Sequence, residues 1–259
     1  MNSDWLIPQW PAPARVHAVC TTRVGGRSAV PFDSLNFGEH VGDCPEHVSA
    51  NRRILQRAMA ARPVFMSQVH GIRVLSLSGT TEDGVQADAS ITEQAGVACT
   101  VMVADCLPVL LTDVLGRRVA AAHAGWRGLA GHCGRGVLEE VVASLAAAEN
   151  ANGTQAASEI MAWLGPCIGP QTFEVGDDVR DAFAAHDPAA RAMFRPQTEG
   201  KWMADLQGLA RLRLRAMGVQ QIFGNDGNQP WCTVSNPSRY FSHRRDRVSG
   251  RMAACIWLD

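Results

Sequence analysis

Short apolar segments with a strand-like composition recur along the whole chain and constrain its fold more than any other feature. Each is rich in Val, Ile, Ala or Met, and together they predict strands at residues 16–22, 73–77, 98–103, 109–112, 118–123, 160–164, 222–224 and 251–257. Because these segments extend from one end of the chain to the other, we expect β-sheet to form the core of the protein.

Segments with helical spacing of apolar residues lie between the strands, at residues 47–60, 135–147, 176–186 and 205–217. Asp205 is the expected N-cap of the last helix, and Gly218 is the residue expected to close it. Residues 143–158 are small and polar, which predicts a helix end followed by a surface loop. The irregular alternation favours an α+β fold with mixed sheets flanked by helices, and we expect residues 1–259 to form a single domain.

Bulk composition permits an enzyme and gives no reason to expect nucleic acid or a membrane as partner. Hydrophobic residues make up 46% of the chain, enough for a substantial core, and the formal net charge is -1. No apolar run approaches the roughly 20 residues of a membrane-spanning helix, and the N-terminal segment lacks the pattern of a secretory signal. We therefore expect a cytoplasmic protein with a small-molecule substrate. We also expect a monomer, since no coiled-coil pattern is present.

The eight cysteines are scattered along the chain and form no CxxC pair. A chain with a full-sized core and no secretion signal has little need of disulfides, so reduced thiols are the expected state. The lack of CxxC pairs argues against a zinc ribbon or a thioredoxin-type redox site.

Three segments combine a possible metal ligand with glycine or proline: residues 67–71 (SQVHG), 104–108 (ADCLP) and 123–128 (HAGWRG). His70 and His123 each end an apolar stretch before a glycine-containing turn, where functional groups concentrate. Together with Cys106 they form a valid zinc ligand set with an open fourth position, as in catalytic sites. Their spacing matches no local zinc signature, and a single buried Cys or His more often serves packing. From these residues alone, both interpretations stay open.

Eight motifs that occur in one order along the chain resemble those of a known family. They are residues 21–26 (TTRVGG), 34–38 (SLNFG), 67–71, 87–88 (AD), 104–108, 123–128, 165–169 (GPCIG) and 242–246 (SHRRD). This series resembles the YfiH family, also called laccase-domain proteins, multicopper polyphenol oxidases or purine nucleoside phosphorylases, which includes a peptidoglycan-editing factor. The resemblance extends from Thr21 to Leu258, which is nearly the whole chain.

The resemblance implies a catalytic zinc bound by His70, Cys106 and His123. It also implies an α/β/β/α fold, two mixed sheets flanked by helices, similar to the catalytic domain of cytotoxic necrotising factor. The implied activity is phosphorolysis of adenosine, inosine, guanosine or methylthioadenosine to base and ribose 1-phosphate, together with adenosine deamination. His243 departs from the family pattern, which has Tyr or Phe there, so a substrate contact by this side chain is in doubt.

Candidate substrate-binding and proton-transfer residues lie in the same motifs. Arg23, Arg244 and Arg245 are expected to bind phosphate, because a guanidinium group binds it through two parallel hydrogen bonds. Most arginines, however, lie on a solvated or salt-bridged surface. Asn36 is a candidate for ribose or phosphate binding, although asparagine beside glycine is often a simple turn residue. Asp105 is expected to hydrogen-bond a ligand histidine, which we favour, or to shuttle a proton during deamination.

Three other functions are weighed against the phosphorylase. A copper polyphenol oxidase needs many histidines, usually in HxH pairs, and this sequence has eight histidines and no such pair. A peptidoglycan-editing hydrolase acting on an L-serine-containing muramic acid precursor would use the same zinc site, and the sequence does not separate it from the phosphorylase. A non-enzymatic zinc-binding domain would need a fourth protein ligand, such as Asp105 or His132.

Overall fold

A computed structural model of the protein describes residues 3–147 and 157–259, in which strands and helices alternate. The strands are β1 (Val16–Cys20), β2 (Arg62–Phe65), β3 (Val74–Ser76), β4 (Ala89–Thr92), β5 (Val97–Val103), β6 (Leu107–Asp113), β7 (Val119–Ala124), β8 (Ile160–Leu164), β9 (Glu174–Gly176), β10 (Phe194–Pro196), β11 (Lys201–Ala204), β12 (Gln221–Gly224) and β13 (Met252–Leu258). The α-helices are α1 (Pro45–Ala58), α2 (Trp126–Ala130), α3 (Val137–Ala146), α4 (Asp177–Ala184), α5 (Leu206–Ala216) and α6 (His243–Asp246). Short 3-10 helices occupy Glu39–Val41, Ala157–Glu159, Pro188–Met193 and Gln229–Trp231. No helix in these two ranges is long and apolar enough to cross a bilayer.

Two mixed sheets form the centre of the fold. One has four strands in the order β1-β13-β5-β2, and the other has six in the order β12-β8-β6-β7-β4-β3. Most neighbouring strands are antiparallel, but β2–β5, β3–β4 and β8–β12 pair in parallel. A third, antiparallel sheet has the order β10-β11-β9.

Alternation of side chains along the central strands divides the core into layers, because successive side chains point to opposite faces of a sheet. On β6, Leu110 packs between the two large sheets, whereas Val109 and Leu111 pack on the outer face against α3 and α5. On β13, Ile256 faces the space between the sheets and Trp257 packs on the α1 side. The layers therefore follow the α/β/β/α order expected from the resemblance.

The strands and helices expected from local pattern are confirmed, with ends shifted by at most two residues. Asp205 caps α5, since its Oδ1 accepts a hydrogen bond from the Gly208 N–H at 2.7 Å. Gly218 follows this helix with a φ of 95°, the left-handed conformation that glycine adopts at little cost. The helix end expected within residues 143–158 is at Ala146, and residues 148–156 of the expected loop lie outside the described residues.

Several short elements have too little periodicity to be recognised from sequence. Strand β2 has four residues and contains Pro63, which cannot donate to a neighbouring strand. Since β2 lies at the edge of its sheet, this missing donor is tolerated. Helices α2 and α6 have five and four residues, so neither can display a repeated apolar face.

Leu110→Ala is expected to lower the free energy of unfolding by about 2–5 kcal/mol, because the side chain is fully buried and its loss leaves a cavity between the sheets. Leu115 lies beyond the end of β6 and is 60% exposed, so Leu115→Ala should stay within about 0.5 kcal/mol of the parent protein. Urea unfolding of both variants measures the difference. Equal losses in the two variants would contradict the assigned layers.

Candidate metal centre and its cavity

Three side chains that are far apart in sequence meet beside the β6–β7 pair. Cys106 immediately precedes β6, and His123 lies near the end of β7. These two strands run antiparallel with Pro108 opposite His123, so the start of β6 lies next to the end of β7. His70 arrives from the loop between β2 and β3. The ligand atoms of His70, Cys106 and His123 all lie within 4.8 Å of one another.

The loop that carries His70 is held by the buried carboxylate of Asp88. Oδ1 of Asp88 accepts a hydrogen bond from the His70 N–H at 2.8 Å. Oδ2 accepts from the N–H groups of Val69 at 3.1 Å and Gly71 at 2.7 Å. His70 has a φ of 61°, in the left-handed region that residues with a side chain rarely adopt. The three hydrogen bonds stabilise this backbone conformation and so fix the point from which the imidazole projects.

The same carboxylate orients His123. Its Oδ1 lies 2.8 Å from Nδ1 of His123, and since an ionised carboxylate only accepts, Nδ1 carries the hydrogen. Nε2 is therefore the ring nitrogen available to a metal. Burial raises the pKa of Asp88, but the hydrogen bonds from His123 and from the Gly71 N–H outweigh it and hold this pKa below its ordinary value. Asp88 thus stays ionised.

Cys106 and His123 also influence each other's protonation. Burial raises the pKa of the Cys106 thiol, but the charge of His123 and hydrogen bonds from His123 and His70 lower it to about 6. Burial lowers the pKa of His123, yet the charge of Cys106 and the hydrogen bond to Asp88 raise it to about 9. The sulfur is therefore favoured as a thiolate, which is the form in which cysteine binds a metal.

Gly125 permits the close approach of the α2 segment to the ligand atoms. A Cβ at this position would lie 2.8 Å from Cδ2 of His70 and 2.9 Å from Sγ of Cys106. Both distances are shorter than a van der Waals contact, so any larger residue would displace two of the three ligands. This explains the first glycine of the HAGWRG segment.

The donor set fits a transition metal. Thiolate sulfur and imidazole nitrogen are typical zinc ligands, and three protein ligands with an open position are typical of catalytic zinc, although the same donors also suit copper. Within residues 3–147 and 157–259, this is the one group of three or more His, Cys, Asp or Glu side chains arranged to hold a metal. Neither Asp105 nor His132 belongs to this group. Neither residue is therefore placed as the fourth ligand that a closed structural zinc site needs.

The three ligands line a cavity of about 330 Å³, within the range of small-molecule sites, roughly 300–1,000 Å³. Apolar side chains, two further histidines and three arginines share the rest of the lining, among them His40, Met102, Trp126, Ile168, Phe173, His243, Arg244, Arg247 and Arg251. Among the lining residues that the structure describes, the one carboxylate belongs to Asp105. The excess of cationic groups favours an anionic ligand or an anionic group on a ligand.

Asp105 does not contact a ligand histidine, which corrects the role we favoured for it. Its Oδ1 accepts a hydrogen bond from Thr233 Oγ1 at 2.6 Å, and its Oδ2 accepts one from the Arg244 N–H at 2.6 Å. Its φ of 89° turns the backbone sharply just before Cys106. Adjacency in sequence therefore does not direct this carboxylate toward the histidines, and Asp88 takes the role instead.

Of the three arginines expected to bind phosphate, Arg244 lines the cavity and the other two do not. Arg23 pairs with Asp33 at 3.0 Å and donates to two backbone carbonyls. Arg245 pairs with Asp246 at 2.7 Å and donates to three backbone carbonyls. Both guanidinium groups hold loops together in this structure.

Asn36 is fully buried and does not line the cavity either. Its Oδ1 accepts hydrogen bonds from the N–H groups of Gly38 at 2.9 Å and Arg251 at 2.8 Å. Its Nδ2 donates to the Gly38 carbonyl at 3.2 Å and to Asp43 Oδ2 at 2.9 Å. The four hydrogen bonds occupy both N–H donors and the oxygen of the amide. Asn36 therefore joins its loop to the segment that precedes β13.

Sequence reasoning gave no role to Asp88, Arg247 or Arg251. Asp88 belongs to one of the quoted motifs, but no spacing rule relates it to the two histidines. Its role follows from the pairing of β4 with β7, which sets Ala89 opposite Ala122 and so brings Asp88 beside His123. Arg247 and Arg251 follow the last motif and carry no local signal.

Known proteins are similar to this chain over nearly its whole length. A family model described as "Multi-copper polyphenol oxidoreductase laccase" matches residues 17–259. The chain belongs to this family. Within it, a purine nucleoside phosphorylase of Pseudomonas aeruginosa is 49% identical and covers 100% of both chains. The purine nucleoside phosphorylase YfiH of Escherichia coli K12 is also 49% identical, over 99% of each chain.

Solved structures of similar proteins share the fold of this laccase-family chain. A Neisseria meningitidis protein matches with a TM-score of 0.91 at 45% identity, covering 99% of this chain and 100% of that chain. YlmD of Geobacillus stearothermophilus matches with a TM-score of 0.81 at 33% identity, covering 95% and 92%. Both the resemblance to the YfiH family and the expected fold are thereby confirmed.

Asp88→Asn is expected to weaken zinc binding about 10–100-fold, the usual effect of losing a partner that orients a metal-binding histidine. An amide offers one acceptor oxygen and a competing NH₂ donor to four N–H groups, so at least two of the four hydrogen bonds are lost and the segment that carries His70 or the ring of His123 is released. Chelator competition with Zn²⁺ measures the affinity. The control Asp181→Asn removes an exposed carboxylate outside the cavity. Unchanged affinity in a folded Asp88→Asn protein would contradict the role of Asp88.

Gly125→Ala is expected to weaken zinc binding at least about tenfold, because the new methyl group overlaps the positions of His70 and Cys106. Gly79→Ala is the matched control, since a Cβ there would meet only Gln94 Oε1 at 3.8 Å. The absorption spectrum of each variant loaded with Co²⁺ reports the geometry of the ligands. Identical spectra for both variants and the parent would show that the site tolerates the methyl group.

Proposed function

We propose that this protein is a zinc-dependent purine nucleoside phosphorylase, which converts a nucleoside and phosphate to the purine base and ribose 1-phosphate. One observation carries the proposal: a His-Cys-His ligand set and three arginines line the same cavity. The relatives that are 49% identical over their full length and named purine nucleoside phosphorylases support it. The cationic lining suits the phosphate that such a reaction consumes.

The cavity suits a nucleoside in size and in the character of its lining. Its volume of about 330 Å³ accommodates a small molecule, and the aromatic side chains of Trp126 and Phe173 are part of its lining. Aromatic rings prefer to contact one another in offset-stacked or edge-to-face arrangements. These two side chains are therefore candidates for contact with a purine. Arg127 already stacks on the Trp126 ring at 4.3 Å and restricts its motion.

Zinc is the metal we propose for the site, held by Nε2 of His70, Sγ of Cys106 and Nε2 of His123. When bound, zinc supplies Lewis acidity and lowers the pKa of bound water to about 7. The described residues offer a single ligand group, whereas a multicopper oxidase needs a second, histidine-rich centre. Asp88 orients the ring of His123 and holds the backbone of His70, and Gly125 leaves room for the three proposed ligands.

Phosphorolysis makes one bond and breaks one bond at C1′ of the ribose. An oxygen of hydrogen phosphate bonds to C1′ while the bond to the purine nitrogen breaks, and the bonding electrons leave with the purine. The proton of hydrogen phosphate ends on the purine, so atoms and charge balance. In the transition state the ribose ring carries positive charge, as in glycoside hydrolysis, and a bound phosphate anion stabilises that charge. The protein contributes by binding and orienting the two substrates.

Adenosine deamination is the second reaction we propose for this cavity. Water adds to the purine carbon that bears the amino group, and ammonia leaves. Asp105 lies in the lining beside Cys106 and is the candidate to pass a proton, although both of its oxygens already accept hydrogen bonds. We further propose that the protein works in the cytoplasm, where its eight free cysteines stay reduced.

The test is incubation of the zinc-loaded protein with adenosine, inosine or methylthioadenosine, with and without phosphate, followed by measurement of base, ribose 1-phosphate and deaminated product. We expect base release that requires phosphate and falls at least about 100-fold in Cys106→Ala, because loss of a ligand costs at least as much as loss of its orienting partner. Cys44→Ala, which alters an exposed cysteine outside the cavity, is the control.

Three results would overturn the proposal. They are equal activity in Cys106→Ala, base release that does not depend on phosphate, and the absence of any nucleoside turnover. Stoichiometric copper together with oxygen-dependent phenol oxidation would instead favour the activity in the description of the family model.

A further inference from the structure

The segment from α6 to the start of β13 contributes three arginines to the cavity: Arg244, Arg247 and Arg251. The proposed reaction requires a site for phosphate, and two of the arginines first expected to form it are committed to loop contacts elsewhere. The hydrogen bonds of the three cavity arginines show which N–H groups have acceptors in the protein and which do not.

Arg251 is partly buried, and its guanidinium group is fixed at one end only. Nη1 donates to the carbonyls of Ser249 at 2.8 Å and Gly250 at 3.1 Å. Nε and Nη2 donate to no acceptor within the described residues. A guanidinium group has five N–H donors, so the remaining donors of Arg251, which lines the cavity, are available to a ligand that accepts hydrogen bonds. Burial lowers the pKa of Arg251, which agrees with its partly desolvated position.

The backbone of Arg251 is held from two directions. Its N–H donates to the buried amide oxygen of Asn36 at 2.8 Å, and its carbonyl accepts from the Phe37 N–H at 3.1 Å. A side chain that is anchored at its backbone and at Nη1 has lost much of its freedom before any ligand arrives. Binding through Nε and Nη2 therefore costs little additional entropy.

Arg247 adds a second positive charge at the cavity. It is exposed, lines the cavity, and its side chain makes no hydrogen bond or ion pair with any residue that the structure describes. Its φ of 63° ends helix α6 and turns the chain toward β13. Arg244 is intermediate: Nη1 donates to the Glu174 carbonyl at 2.9 Å, and the guanidinium group stacks on Phe173 at 5.6 Å.

We propose that Arg251 and Arg247, assisted by Arg244, form the subsite that binds inorganic phosphate in this cavity. This inference rests on the proposed function, because it names the residues that hold the second substrate. Among the described lining residues the one carboxylate is that of Asp105, and its oxygens accept from Thr233 Oγ1 and the Arg244 N–H rather than from an arginine side chain. Three arginines therefore face one carboxylate, and the lining keeps an excess of positive charge. Planar guanidinium groups bind phosphate oxygens through paired hydrogen bonds, and the free Nε–Nη2 edge of Arg251 presents such a pair.

The test compares Arg251→Gln and Arg247→Gln with the control Arg57→Gln, which removes an exposed arginine on α1, outside the cavity. We expect the KM for phosphate to rise at least about tenfold in Arg251→Gln and by a smaller factor in Arg247→Gln, since each change removes a charge-assisted hydrogen bond. The KM for the nucleoside and the zinc content should stay within about twofold of the parent. Arg57→Gln should change none of these quantities.

Equilibrium dialysis of the zinc-loaded proteins with radiolabelled inorganic phosphate, at constant ionic strength, separates this inference from the proposed function. If the parent protein binds phosphate and both cavity variants lose that binding, the subsite stands even where no nucleoside is phosphorolysed. If phosphorolysis proceeds and neither the KM for phosphate nor the dialysis result changes, the subsite is wrong and the function stands. Should Arg251→Gln fail to fold, Arg247→Gln decides the question, because its side chain has no structural partner.

Discussion

The buried carboxylate of Asp88 is the interaction on which the site depends. A charge with no exposed surface is tolerated only when hydrogen bonds replace the lost water, and here four N–H groups do so. Three come from the backbone around His70 and one from the ring of His123. Because both ligand histidines are bound to one ionised group, neither can move without leaving a buried N–H or a buried charge unpaired.

The position of that carboxylate depends in turn on the register of three strands. Pairing of β4 with β7 brings Asp88 to His123, and pairing of β6 with β7 brings Cys106 to the same place. Side chains alternate between the two faces of a strand, so a slip of one residue in either pair would move His123 to the opposite face of its sheet. Val109 and Leu111 pack in one core layer and Leu110 in the other, so the register that the polar site needs is also the one in which both layers are packed.

Elements with repeated apolar pattern could be predicted from sequence, and contacts between distant segments could not. The strand at residues 109–112 is indicated by a short apolar run, and the helix at residues 205–217 by leucines at helical spacing. Asn36 and Arg245 lie in family motifs, as His70 does. Unlike His70, they lie outside the cavity and form hydrogen bonds with backbone groups of neighbouring loops. A motif indicates that a particular residue type is needed at a position. It does not show whether the side chain faces a ligand or a loop, since that depends on packing.

The number of histidines near the metal centre bears on the copper chemistry named in the description of the family. All eight histidines lie in the described ranges. Four of them line the cavity, and two of those, His70 and His123, join Cys106 in the ligand group. Of the others, His17 and His47 lie close to the carboxylates of Asp259 and Asp43. A trinuclear copper centre needs a second dense cluster of imidazoles. Within the described ranges the candidate ligands form one group of three, which fits a single metal ion beside the cationic side chains of the same cavity and does not fit a trinuclear centre.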